Sequence, residues 1–92
     1  MYFMYILFSR TLDKYYPGYT ADKLQERLRK HNSDHKGFTV GKGDWVLEYF
    51  EEYKTKELAY AREREIKSWK SRKKIVALIC KGNSASLKHP DL

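Results

Sequence analysis

Near the start of the chain, Tyr2-Phe3-Met4-Tyr5-Ile6-Leu7-Phe8 is followed by the polar stretch Ser9–Asp13 and then by Tyr15-Tyr16-Pro17-Gly18-Tyr19. The first run is wholly apolar or aromatic, the composition of a strand covered on both faces. The second is strand-like too, and the short connection predicts an antiparallel hairpin over residues 2–19. A turn centred on Arg10–Asp13 pairs Ser9 with Lys14 and sets Tyr5 opposite Gly18. Directly opposed residues share a face, so Tyr5, Gly18 and Tyr16 should point the same way. Two phenols flanking a residue without a side chain would make a shallow pocket; the plainer alternative is that both rings fill core volume. Pro17 has no N–H for a ladder, which predicts an edge strand or a bulge at that point.

Beyond the hairpin, Thr20 reads as the N-cap of a helix running to about Asn32. Leu24, Leu28 and His31 at i, i+4, i+7 give that helix one narrow inward face. Residues 33–43 read as loop from their Gly, Ser and Asp content. Trp45–Phe50 reads as a third strand, and Thr55 caps a long helix to about Trp69. A last helix begins near Ser71, runs through Ile75, Val76, Leu78 and Ile79, and is expected to stop at Gly82. The order β-β-α-β-α-α predicts an α+β fold, a small antiparallel sheet with helices packed on it. The expected organisation is one domain over residues 1–83 with a C-terminal tail, 84–92, that is partly loose.

Composition narrows the function. At 92 residues the chain holds one cored unit. A charged fraction of 34% and the lack of an apolar run near ~20 residues argue against a membrane protein. Tyr2–Phe8 lacks the basic lead and small-residue cleavage site of a signal peptide. The single cysteine, Cys80, excludes an intramolecular disulfide and a cysteine zinc quartet, and fits a reducing, cytoplasmic setting. Of the net charge of +7, six units fall in residues 67–92, where seven Lys or Arg meet one acid, Asp91. Such a block is either a solvated lysine-rich surface or the footprint of a phosphate-rich partner whose counterions it displaces.

Three polar residues stand where the periodicity favours hydrophobes. Glu63 follows Ala59 by four and precedes Ile66 by three, on the inward stripe of the long helix. A carboxylate there must be paired, protonated or bound to a cation. The bland version is a Glu at the stripe edge paired with Arg27 or Arg62. Arg27 and His31 are four apart on the first helix and meet on one face. A guanidinium there can hold a phosphate through two parallel N–H bonds, and an imidazole can move a proton. His31 can equally be a helix-end residue touching the dipole. A zinc pair of His31 and His35 is disfavoured, because Asn32 and Ser33 break the helix between them.

These residues resemble a family. Phe3-Met4-Tyr5 with Tyr16-Pro17-Gly18 is similar to the paired Gly-Ile-Tyr and Tyr-Ile-Gly signature of the GIY-YIG nucleases. In order after it come Thr20, Leu24-x-x-Arg27-Leu28-x-x-His31-Asn32, Trp45-x-Leu47-x-Tyr49, Ala61-Arg62-Glu63-x-x-Ile66-Lys67, the basic segment Trp69-Lys70-Ser71-Arg72-Lys73-Lys74, and Asn83. The series covers residues 2–83 and looks most like the small stand-alone bacterial members, relatives of the nuclease domain of the excision-repair excinuclease. Phe3 and Met4 depart from the first triplet, Pro17 replaces the middle of the second, and Tyr19 stands where the excision-repair enzymes have a lysine. Pro17 removes one donor and fixes φ, which bears on the tilt of Tyr16.

The resemblance implies a three-stranded antiparallel sheet flanked by helices, cutting phosphodiesters with one divalent ion, Mg²⁺ or Mn²⁺. By the same resemblance Glu63 holds the ion, Arg27 binds the scissile phosphate, and Tyr5 and Tyr16 line the attacking water, one as base or relay. His31 assists with the proton or the phosphate, and Asn83 is a polar neighbour. A free tyrosine, with a pKa near ~10, is a poor base at neutral pH and needs nearby positive charge. The expected function is a metal-dependent endonuclease acting on DNA, with a role in repair or processing. The alternative is a nucleic-acid-binding module of the same fold with weak or lost catalysis. In both, Lys67, Lys70, Arg72, Lys73 and Lys74 contact nucleic acid, and RNA stays open as substrate. Trp69 either stacks on a base or sits in the core. No membrane and no small-molecule cofactor is expected, and the chain is expected to be a monomer or weak homodimer.

Overall fold

The structure, a computed structural model, describes residues 1–33 and 44–87. Three strands, β1 (Tyr2–Ser9), β2 (Lys14–Thr20) and β3 (Trp45–Tyr53), and three helices, α1 (Leu24–Ser33), α2 (Lys56–Trp69) and α3 (Arg72–Leu87), follow in the order expected from sequence. The sheet is antiparallel with order β2-β1-β3, so the most apolar segment is the central strand. Met4, Tyr5, Ile6 and Leu7 are each at most 1% exposed, as a strand covered on both faces requires. Successive side chains alternate: Met4 and Ile6 pack with Ile66 and Ile79 beneath α2 and α3, while Tyr5 and Leu7 pack with Trp45, Leu24 and Leu28 beneath α1.

The hairpin register is the one the turn predicts, with Ser9 opposite Lys14 and Tyr5 opposite Gly18. Asp13 closes the turn at φ 54, donating its N–H to the Arg10 carbonyl at 3.2 Å. Aspartate tolerates this left-handed conformation because its short polar side chain bonds locally. Pro17 lies on an edge strand, opposite Ile6, and the ladder passes it without a slip. The one irregularity is on the other side of β1, where Ile6 pairs with Tyr49 but Leu7 pairs with Leu47. The extra residue, Glu48, switches the parity of β3. Trp45 and Leu47 therefore join the α1 face, while Tyr49 and Tyr53 join the α2–α3 face.

Three element ends differ from the sequence reading, and one is that of β3, which runs on to Tyr53 instead of stopping at Phe50. Thr20 does not cap α1: it ends β2, and its hydroxyl accepts from the Asp22 N–H at 2.9 Å in a local turn. The helix starts at Leu24, and the Arg27 N–H reaches the Lys23 carbonyl at 3.0 Å. Gly82 does not stop α3, which continues to Leu87. A Cβ at Gly82 would overlap the Tyr49 ring, so this glycine serves a close helix–strand approach instead of a terminus. Thr55 does cap α2, accepting from the Leu58 N–H at 3.2 Å, and Lys70 ends that helix at φ 49. Of the loop expected over residues 33–43, Ser33 is the last residue of α1, and the rest, His35 included, lies outside the described residues.

β3 is tied to its neighbours by polar clasps. Glu51 accepts from the Tyr49 and Tyr53 hydroxyls, each at 2.5 Å, and from Arg62 Nε at 3.0 Å and Nη2 at 3.2 Å. Burial alone would raise the Glu51 pKa, but the Arg62 and tyrosine hydrogen bonds outweigh it and hold it below the ordinary value. At the far end, the Asn32 amide donates to the Trp45 carbonyl at 3.0 Å and accepts its N–H at 2.7 Å, joining the end of α1 to the start of β3. No helix among the described residues is long and apolar enough to cross a membrane.

Candidate active site

The inward stripe of α1 places Arg27 and His31 over the Tyr5 face of the sheet. Arg27 Nε donates to the Tyr5 hydroxyl at 3.1 Å, and that hydroxyl lies 3.2 Å from His31 Nε2. Arg27 can only donate, so the phenol oxygen accepts from it, and the phenol proton can go to His31 Nε2 when the imidazole carries its own proton on Nδ1. His31 is 8% exposed, and its ring meets Tyr5, Tyr16 and Trp45 at centroid distances of 6.0, 5.0 and 6.2 Å. Sequence reasoning gave Trp45 no place beside the site, because the Asn32 clasp that brings it there joins residues 13 apart in the chain.

Gly18 explains how the Tyr5 phenol reaches this position. A Cβ on Gly18 would lie 2.5 Å from the Tyr5 oxygen and 2.6 Å from Cζ. The ring therefore lies across the strand at Gly18 and fills the space that the sequence suggested as a pocket between two phenols. Burial pushes the Tyr5 pKa above its usual value; the hydrogen bond and charge of Arg27 pull the other way, while Tyr16 and Glu63 add to the rise. The same contact with Tyr5 raises the Arg27 pKa.

Glu63 is on the buried stripe of α2 with Ala59 and Ile66, as its spacing predicts. Its partner is neither Arg27 nor Arg62. Arg27 is engaged by Tyr5, and Arg62 by Glu51 and Glu65. Instead Lys67, one turn on, sets its ammonium 2.5 Å from Glu63 Oε2 and 5.3 Å from the centre of the Tyr16 ring. The carboxylate thus already holds a cation, in the lining of an open groove of about 470 Å³ formed by Tyr60, Glu63, Arg64, Lys67 and Ser68. This donor set fits a hard divalent ion: one carboxylate beside open solvent leaves the remaining positions to water and phosphate oxygens. Among the described residues no three His, Cys, Asp or Glu side chains come together.

The structure thus brings Tyr5, Tyr16, Arg27, His31, Glu63 and Lys67 to one region, where α2 packs along the β2 edge. It does not bring the rest of the basic segment there as a block. Arg72 pairs with Asp13 at 2.8 Å and lies 5.2 Å over Tyr15 on the other face of the hairpin. Lys70, Lys73 and Lys74 are exposed on the α2–α3 corner and at the start of α3. Trp69 is half-buried against the core, as in the second of its two readings. Asn83 is on the α3 backbone, and its side chain is outside the described residues.

A family profile, the GIY-YIG catalytic domain, matches residues 1–75. The chain is also similar to a UPF0213 protein of Haloquadratum walsbyi, with 40% identity over 60 residues. That alignment covers 64% of this chain and 66% of the relative, slightly under two thirds of the relative's length. No solved structure matches.

Proposed function

The chain belongs to the GIY-YIG family of nuclease-type domains, and on that premise we propose that it is a divalent-metal-dependent endonuclease hydrolysing phosphodiester bonds in DNA. The observation that carries this reading is the chain of contacts Arg27–Tyr5–His31, with Glu63 close enough to bear on the Tyr5 phenol. Mg²⁺ or Mn²⁺ held by Glu63 would supply Lewis-acid polarisation of the phosphate and a lowered water pKa. The protein's own part is positioning and proton movement. As the water oxygen bonds to phosphorus, the bond from phosphorus to the leaving sugar oxygen breaks. The water proton passes to the Tyr5 oxygen and the phenol proton to His31 Nε2, while the leaving oxygen takes a proton from solvent. This relay avoids a free phenolate, which burial disfavours. Arg27 offsets the charge that grows on the phosphate. Tyr16 walls the site between His31 and Lys67.

Support for DNA is the exposed lysines Lys70, Lys73 and Lys74 together with the family; cytoplasmic action in repair or processing belongs to the same proposal. Purified protein is incubated with supercoiled, branched and flapped DNA in Mg²⁺ or Mn²⁺. Nicking should appear and should vanish in Glu63→Ala; nicking that persists in that variant refutes the assignment. The second reading, a nucleic-acid-binding module with weak or lost catalysis, is favoured by the hold of Lys67 on Glu63 and by the burial of Tyr5. Salt-sensitive binding without cleavage at any metal concentration would establish it.

A further inference from the structure

The groove beside Glu63 has a feature that catalysis does not use. Tyr60 is 42% exposed, yet its ring is held in place. Tyr19 of β2 meets it edge-to-face at 5.1 Å, and Arg64 Nη1 donates to its hydroxyl at 3.2 Å. The Arg64 guanidinium carbon lies over the ring, 5.7 Å from its centre, and the tyrosine still keeps 42% of its surface open to solvent. Among the described residues no carboxylate pairs with Arg64, whereas Arg62 on the neighbouring face is neutralised by Glu51 and Glu65. Tyr60, Glu63, Arg64 and Lys67 are spaced three or four apart and share one face of α2.

We propose that this groove binds one unpaired nucleotide of the substrate strand, its base stacked on Tyr60 and a phosphate held by Arg64 beside Glu63. The assignment rests on the nuclease reading and adds a substrate class to it. A fixed, solvent-facing aromatic ring next to an uncompensated guanidinium matches the two parts of a nucleotide, a flat base and an anion. A base inside a duplex is stacked on both sides and cannot offer a face to Tyr60. The preferred substrate is therefore a flap, a frayed end or a single strand with an unpaired base at the cut. Tyr60 is here a specificity residue that touches substrate away from the reacting atoms.

Binding is measured by fluorescence anisotropy in EDTA, with the full chain, a flapped duplex, a blunt duplex of equal length, and a flap carrying 2-aminopurine beside the junction. The wild type should bind the flap more tightly and quench the 2-aminopurine. Tyr60→Phe should behave as wild type. Tyr60→Ala should lose roughly 5- to 150-fold in flap affinity and the quenching, with an unchanged salt slope. Arg64→Gln should lower that slope by about 0.7 to 0.9. Equal affinity of wild type and Tyr60→Ala for the flap, with the alanine variant folded by circular dichroism, overturns the groove assignment. In that case metal-dependent nicking leaves the nuclease reading standing; absence of any nucleic-acid binding by wild type overturns both.

Discussion

Replacing Gly18 by Ala is the smallest change that should displace the candidate catalytic phenol. The added Cβ would lie 2.5 Å from the Tyr5 oxygen, 2.6 Å from Cζ and 2.9 Å from Cε1, all closer than such contacts tolerate. The ring has little room to withdraw: Tyr5 is 1% exposed, and its hydroxyl is engaged by Arg27 and His31. Overpacking of this kind costs about 1–3 kcal/mol. For a domain of this size each kcal/mol lowers Tm by roughly 4–8 °C. Urea denaturation should show a lower midpoint with an unchanged m-value, and the His31 ring resonances should shift. The decisive comparison is Gly18→Ala in a Tyr5→Leu background, where the ring is gone. There the penalty should vanish or turn into a gain of about 0.5–1 kcal/mol, because alanine loses less backbone entropy than glycine. A penalty of the same size in both backgrounds would refute the argument that the Tyr5 ring is what requires glycine.

Removing the ammonium in Lys67→Met should leave the Glu63 carboxylate without its internal counter-charge and tighten Mn²⁺ binding several-fold, read by calorimetry or by the spectrum of the free ion; weaker binding would mean that Lys67 supports the ion site. Tyrosinate absorbance should show Tyr49 and Tyr53 titrating late, near pH 12, because burial and the Glu51 hydrogen bond raise both. Their folded pKa lies above the unfolded value of about 10, so their stabilising effect is full below pH ~10 and is lost as pH rises through about 12; Glu51→Gln should bring both back toward the ordinary range. Asp44 behaves oppositely: hydrogen bonds from the Ser9 hydroxyl and the Thr11 N–H lower it to about 2. Its contribution is present above the unfolded pKa of about 3.9 and is lost as pH falls through 2. Thermal melts of wild type and Asp44→Asn should therefore differ at pH 5 and converge near pH 2.

Where contacts are local or strictly periodic, the sequence was a sufficient guide. The hairpin register follows from one turn, the Thr55 cap from one hydroxyl, and the buried station of Glu63 from Ala59 and Ile66. The reading went astray where a residue had two competing uses. Thr20 could cap a helix or close a turn at a strand end, and a glycine such as Gly82 can end a helix or let a ring approach it. Long side chains were the least legible. Lys67 and Arg72 look alike in a basic run, yet one bends back onto Glu63 and the other reaches Asp13, 59 positions away. The Glu63–Lys67 pair follows the i,i+4 spacing of one helix and could have been read from it, whereas the partner of Arg72 depends on how the sheet brings distant elements together, which no spacing rule within a helix encodes.

The extra residue at Glu48 divides β3 into two halves that are out of phase, although Trp45, Leu47, Tyr49, Glu51 and Tyr53 form one unbroken odd-numbered series. The first half belongs to the compartment where the candidate chemistry sits, the second to the scaffold beneath the other helices. Each half is free to vary with its own neighbours. Because Leu47 already lies opposite Leu7 and Tyr49 opposite Ile6, deleting Glu48 would make the two neighbours in a regular pleat and leave Tyr49, Glu51 and Tyr53 on their present layer; the strand would lose the local bend and gain a continuous ladder.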